Sequence, residues 1–289
     1  MRLVPGGRFL MGSERFYDDE KPVREVTVEP FWMDRTPVTN RQFARFVEET
    51  GHVTFAEIPP DPKDYPDMDP ALAAPGSIVF TPPDHPVSLR EATWWSFVLG
   101  ADWRHPTGPD SDLRGLDEHP VVHVAYCDAL AYAAWAGKEL PDEAEWEFAA
   151  RGGLDGADYA WGDVLHPGGH RMAKTWEGDF PHYNAAPAGL QRTSPVRSYP
   201  KNAYDLFDLI GNVWEWTVTP ADGTPANPCC GGSAKPRSDL LSRRIAKGGS
   251  HLCAPEYCQR YRPAARWPQP VDTTTSHMGF RCIKRTGAR

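Results

Sequence analysis

Two cysteines, Cys253 and Cys258, stand five positions apart with Pro255 between them, directly after the glycine pair Gly248-Gly249. That spacing lets two thiols face each other across a turn, and the glycines let a neighbouring backbone approach closely. Paired thiolates are soft ligands. Two of them suit Cu(I), which accepts low coordination numbers, whereas zinc wants four ligands. The adjacent pair Cys229-Cys230 is poorly placed to complete a tetrahedral zinc site with the first. Arg260 and Arg262 favour the thiolate form if they point inward. Spacing alone leaves a disulfide between Cys253 and Cys258 open as the other reading.

A second candidate is Asp208-Leu209-Ile210-Gly211-Asn212-Val213-Trp214-Glu215. Two carboxylates flanking a glycine turn can clamp a hard cation together with the carbonyls between them; the plainer reading is a pair of surface acids. His119 and His123 lie four apart, but Pro120 between them forbids the helix that a zinc-protease motif requires, so both are expected to be structural. No Ser-His-Asp set, phosphate-binding loop or dinucleotide fingerprint stands in the chain.

These residues need a scaffold, and composition bounds it. The chain has 289 residues, 40% of them apolar, which suffices for a sizeable core and excludes long disorder. Its 25 Gly and 30 Pro follow no triplet period and predict a loop-rich globule. The net charge of −8 has no basic block to offset it, which disfavours nucleic acid and anionic membranes as partners. No apolar run approaches the roughly 20 residues of a membrane span. The opening Met-Arg-Leu-Val-Pro-Gly-Gly lacks the regions of a signal peptide, so a cytoplasmic protein with its six cysteines mostly reduced is expected.

Along the chain, Arg8–Met11 and Arg24–Val28 alternate as strands do. Thr39 or Asn40 caps a short amphipathic helix through Phe43, Phe46 and Val47 to Gly51. A second helix is predicted from Ala125 to about Gly137, with Cys127 as a small core residue on it. A third starts at the cap Asp142 and ends at Arg151-Gly152-Gly153. Between Phe55 and Pro120 little periodicity is visible, and packed loops burying Trp94, Trp95, Phe97 and Trp103 are expected. The rest reads as short strands and turns. Without a repeat or an evident boundary, residues 1–289 are expected to form one domain, and with no apolar stripe left over, a monomer.

Taken together, several stretches make the chain resemble the formylglycine-generating enzymes, or sulfatase-modifying factors. They include Val4-Pro5-Gly6-Gly7-Arg8-Phe9-Leu10-Met11-Gly12, Trp103-Arg104-His105-Pro106-Thr107-Gly108-Pro109-Asp110-Ser111 and Leu140-Pro141-Asp142-Glu143-Ala144-Glu145-Trp146-Glu147. Gly211-Asn212-Val213-Trp214-Glu215-Trp216-Thr217, the cysteine segment from Lys247 to Arg262, and Gly279-Phe280-Arg281-Cys282 complete the likeness. The resemblance makes Gly-Gly-Ser-x-Leu-Cys-x4-Cys-x-Arg-Tyr-Arg the discriminating stretch, specific to the oxidases of this superfamily. It implies an α+β, loop-rich fold related to C-type lectins. It also implies an oxidase that converts the cysteine of a sulfatase Cys-x-Pro-x-Arg motif to Cα-formylglycine with O2 and a thiol reductant.

Residue by residue, the resemblance makes Cys253 and Cys258 the copper ligands. It puts Ser250 and Tyr257 in the active-site lining, Trp214 on the wall of an oxygen pocket, and Trp103 to Pro106 along a peptide groove. It implies a structural Ca2+ held by the side chains of Asp208 and Glu215 and the carbonyls of Gly211 and Val213. A second calcium site is expected to be lost, because Lys174 and Ala188 stand where an Asn and an Asp ligand belong; the Lys174 ammonium replaces the ion electrostatically. Ala150 falls where some relatives carry a cysteine that bridges to the one matching Cys282, which makes Cys282 a free buried thiol. Gln269 and His277 stand where relatives have Asn. His277 is expected to be a hydrogen-bonded structural histidine, and both positions bear on the choice of client peptide. Two other readings compete. One is a non-catalytic ligand- or peptide-binding module of the same fold. The other, an iron-dependent sulfoxide synthase, needs a facial set of histidines and a helical domain that this chain lacks.

Overall fold

A computed structural model describes residues 1–221 and 242–287, so Cys229 and Cys230 lie outside the described residues. The chain begins with β1 (Arg2–Val4), β2 (Gly7–Met11), β3 (Arg24–Val28) and β4 (Phe31–Met33). Strands β2 and β3 pair antiparallel, as the alternation predicts. Helix α1 (Asn40–Thr50) starts where its side chains dictate: Thr39 Oγ1 accepts from Gln42 N while the Gln42 side chain accepts from Thr39 N. It stops at Gly51, whose left-handed φ of 68° closes the last turn.

The stretch expected to be loops contains a hairpin. Strands β5 (Gly76–Phe80) and β6 (Trp95–Leu99) pair antiparallel from Gly76 opposite Leu99 to Phe80 opposite Trp95. Its burial also differs from the expectation: Trp94 and Trp103 are buried, Trp95 is half-buried and Phe97 faces solvent. In β6 Ser96, Phe97 and Leu99 are exposed while Trp95 and Val98 are half-buried, so the strand lies at the surface rather than in the core.

Helices α2 (Tyr126–Trp135) and α3 (Glu143–Arg151) follow within two residues of the predicted bounds. Asp142 caps α3 in a box with Glu145. This helix turns charges inward. Glu147 pairs with Arg151 at 2.7 Å and with the fully buried Lys247 at 3.0 Å. The acids of its Glu-Ala-Glu-Trp-Glu run are thereby neutralised inside the core rather than solvated.

The site is carried by a four-stranded sheet of β7 (Trp214–Pro220), β8 (Arg243–Lys247), β9 (Arg266–Pro270) and β10 (Met278–Gly279), in the order β10-β7-β8-β9. Strand β11 (Ile283–Arg285) returns to pair with β4. Phe43, Tyr132 and Phe280 pack ring against ring at the centre of the main core, joining α1 and α2 to the C-terminal strands. Among the described residues no helix is long and apolar enough to cross a membrane.

Candidate functional site

The cysteine segment is the connection from β8 to β9. At its start Gly248 and Gly249 have φ of 95° and 73°. A Cβ on Gly249 would lie 2.9 Å from the Arg260 carbonyl oxygen, so the two ends of the connection touch through a bare backbone. Beyond them, Cys253 N donates to Ser250 O, and Cys258 N donates to Ala254 O at 2.7 Å, closing one helix-like turn. The outcome is that Cys253 Sγ and Cys258 Sγ stand 3.1 Å apart as unbridged thiols. A disulfide requires about 2.05 Å, so the pair is in hydrogen-bond rather than covalent contact.

The two sulfurs differ. Cys253 is buried at 2% exposure, and desolvation raises its pKa well above the ordinary thiol value. Cys258 is half-buried, and its pKa is lowered: it accepts a hydrogen bond from the Cys253 thiol, then gains from the Arg260 backbone N–H and the charges of Arg260 and Arg262. The first proton therefore leaves Cys258. Both arginines serve at a distance. Arg262 makes a bidentate pair with Glu20 at 2.5 and 2.8 Å, and Arg260 pairs with Asp19 at 2.9 Å.

Ser250 is buried beside the pair; its backbone N–H points at Cys253 Sγ at 3.5 Å and its Oγ accepts from Leu252 N. Tyr257 lies on the outer side, 39% exposed, stacked on Phe180 at 4.6 Å and edge-on to Trp94 at 5.2 Å. Trp94 and Phe180, with Phe80 and Trp176, form a small separate core under the cysteine turn. Trp94 and Phe180 were not singled out as site residues from sequence; the only signal was the Trp94-Trp95 doublet. Trp214 shares the main core with Cys253, and its ring contact is with Trp267 at 6.4 Å. Trp103 lies under the Arg104 guanidinium at 4.2 Å and lines a cavity with Pro106.

The acidic candidates resolve unequally. Asp208, at a left-handed φ of 54°, accepts a hydrogen bond from Arg197 N at 2.7 Å, and burial pushes its carboxyl up to about 6. No ion-pair partner reaches it among the described residues, so it suits a cation. Glu215 is already engaged: Arg281 grips it in a two-point pair at 2.7 and 2.8 Å, and the Trp146 indole N–H adds a third bond at 2.7 Å. A dication here would share Glu215 with a guanidinium. Gly211 and Val213 lie in the same turn, where a Cβ on Gly211 would come within 2.2 Å of Lys174 O.

Lys174 is buried, with its ammonium 3.8 Å from Glu177, and Ala188 is exposed. Cys282 is a buried free thiol, and Ala150 is buried as well. Cys127 lies on α2, half-buried rather than core. Both nitrogens of His123 are occupied, by Ser77 Oγ and Pro106 O, and His119 bonds Thr193; His277 bonds Thr275 and leans on Trp95. Gln269 sits on β9 opposite Arg244. Among the described residues no three His, Cys, Asp or Glu side chains gather as a metal cluster.

Two unbridged thiols on a strand connection, backed by a small aromatic core, define a thiol-bearing site on a loop-rich α+β scaffold. The family model for the sulfatase-modifying factor enzyme 1-like domain matches residues 1–286, and the chain belongs to that family. It is 54% identical over 287 residues to the formylglycine-generating enzyme of Mycobacterium tuberculosis, covering 97% of this chain and 96% of that one. It is 38% identical to the inactive C-alpha-formylglycine-generating enzyme 2 of Bos taurus, covering 99% of this chain and 88% of that protein. The solved structure of PvdO from Pseudomonas aeruginosa superposes with a TM-score of 0.61 at 23% identity, over 98% and 93% of the two chains, which shows the shared fold.

Proposed function

We propose that this protein is a formylglycine-generating oxidase that acts on a cysteine in the Cys-x-Pro-x-Arg motif of a sulfatase, in the cytoplasm. The family includes a relative named inactive, so membership alone does not carry the reading. What carries it is the pair of free sulfurs 3.1 Å apart, one sealed in the core and one reaching the surface.

The donor set fits Cu(I): two soft sulfurs, one of which ionises readily, with no third metal-ligating side chain gathered beside them among the described residues. When bound, copper would supply the one-electron exchange with O2 that a thiol alone lacks. The protein's own groups do the rest. Cys258 gives up its proton first because Cys253 donates to it, so the outer sulfur is the one that meets an entering thiol. Ser250 N–H holds the inner sulfur in place. Tyr257, braced on Phe180 and Trp94, offers a rigid half-exposed ring against which a client peptide can lie. The burial of Cys253 and the aromatic core below it keep water from that side.

The overall change balances as one peptidyl cysteine, one O2 and two external thiols giving the aldehyde, hydrogen sulfide, one disulfide and one water. Two electrons come from the cysteine carbon and two from the thiols. Structural Ca2+ at Asp208 and the Gly211 and Val213 carbonyls, with Glu215 shared with Arg281, belongs to the same reading; the un-neutralised buried carboxyl of Asp208 supports it.

The test is mass spectrometry of a Cys-x-Pro-x-Arg peptide incubated with copper-loaded protein, O2 and a mild thiol, with Cys253→Ala as control. Aldehyde trapped by a hydrazine, and absent in the control, is the expected result. Peptide binding with no oxygen uptake would instead mark a binding module.

A further inference from the structure

We propose that a cavity away from the thiol pair binds a small carboxylate that also carries a hydroxyl donor. The cavity, of about 240 Å³, shares no lining residue with the cysteine turn. Its walls include Leu113 and Val122, and its polar groups include Asn40, Trp103, His119 and Arg192 beside Gln191, Thr193 and Ser276. Three observations point to an occupant.

The first is charge. Arg192 carries a guanidinium whose one hydrogen bond among the described residues is a 3.4 Å contact from Nη2 to Phe80 O. No carboxylate pairs with it there. Burial lowers its pKa, as happens to a cation short of a counter-ion. The second is a pair of stranded polar atoms: Trp103 Nε1 and Asn40 Oδ1 are buried with no partner, on residues 3% and 4% exposed. A buried donor or acceptor left unmade is costly, so an occupant that meets both is favoured. The third is fixed orientation. Asn40 Nδ2 donates to Leu116 O at 2.8 Å, which leaves its oxygen as the free end. His119 Nδ1 is held by Thr193 Oγ1 at 2.9 Å.

The chemistry follows from the groups. A carboxylate takes donors from Arg192 and Trp103, and Asn40 Oδ1 accepts from a hydroxyl on the same small molecule. Leu113 and Val122 suit a short carbon body. Ordered water satisfies an amide oxygen or an indole N–H, yet it does not neutralise a guanidinium.

Glycolate is the probe, with acetate and neutral glycolamide as comparisons, at constant ionic strength. The indole N–H resonances of ¹⁵N-labelled protein are followed, Trp103 being the one lost in Trp103→Phe. Glycolate should move that resonance saturably, acetate more weakly and glycolamide not at all. Arg192→Met should weaken glycolate by roughly tenfold or more, as expected for a charge-assisted contact, while the other indole resonances stay in place. An unmoved Trp103 resonance at millimolar glycolate overturns the proposal. So does movement matched by sodium chloride, or glycolate affinity unchanged in Arg192→Met.

Discussion

Cys253 Sγ donates toward Cys258 Sγ across 3.1 Å, and the inner thiol thereby lowers the pKa of the outer one. The asymmetry has a chemical consequence, since the thiolate and not the thiol is the nucleophile. Iodoacetamide should alkylate Cys258 first, with a pH midpoint below that of an ordinary thiol. Cys253→Ala removes the largest stabiliser of that thiolate and should slow Cys258 alkylation at neutral pH roughly three- to tenfold. Peptide-level mass spectrometry of alkylation rates checks this. Equal rates at Cys253 and Cys258 would contradict the assignment.

Arg281 and Glu215 are both almost fully buried and bonded at two points. Removing one partner strands the other's charge in the core. Glu215→Leu should therefore cost about 3–5 kcal/mol in denaturant unfolding. Adding Arg281→Met should recover part of that loss, because the double variant leaves no unpaired ion. If the double variant is as unstable as the sum of the singles, the pair is not coupled as its geometry indicates.

Which parts of this were legible in the sequence depends on the range of the interactions involved. Helices α1 and α3 were readable because Thr39 with Gln42, Asp142 with Glu145, and the stop at Gly51 all act within one turn. The thiol pair was readable for the same reason: Cys253 and Cys258 are joined by one closed turn. The β5–β6 hairpin was not, since its strands pair across a long proline-rich connection. The runs Ser77-Ile78-Val79-Phe80 and Trp95-Ser96-Phe97-Val98-Leu99 were the only local hint. The ion pair that Glu215 makes was not readable, because its partner Arg281 is distant in sequence. The Trp94–Tyr257–Phe180 wall and the Arg192 cavity join segments far apart in the chain, and no spacing rule reveals such contacts.

Asp208 gives the protein a pH-dependent weakness. Its folded-state pKa of about 6 lies above the ordinary 3.8, so the folded state holds this proton more tightly than the unfolded chain. Its contribution to stability is complete below about pH 4 and is lost as pH rises through 6; the full loss is about 3 kcal/mol. Asp208→Asn should flatten this segment of the stability profile between pH 4 and 6. Because an asparagine oxygen still ligates calcium, the metal test uses Asp208→Ala: Ca2+ at neutral pH should stabilise the native protein and leave that variant nearly unmoved. A calcium effect of the same size in both proteins would remove Asp208 from the clamp.

Gly249 tests whether the thiol geometry depends on backbone contact at the base of the loop. Its φ of 73° strains any L-residue, and a Cβ there would also press on Arg260 O and Tyr261 Cα, both at 2.9 Å. Gly51 separates the two effects: its φ is 68°, and a Cβ meets nothing within 4 Å. Gly51→Ala should cost only the strain of the left-handed conformation, about 1 kcal/mol, with copper binding unchanged. Gly249→Ala must in addition push the segment entering the cysteine turn away from the segment leaving it. Because neither contact is a flexible side chain, the adjustment falls on the turn and changes the sulfur separation. Cu(I) affinity, measured by competition with a colorimetric chelator, should drop at least roughly tenfold, a change of about 1.4 kcal/mol, even where the melting temperature falls no further than in Gly51→Ala. Equal copper affinity in the two variants would mean that the thiol pair keeps its geometry without the close approach at Gly249.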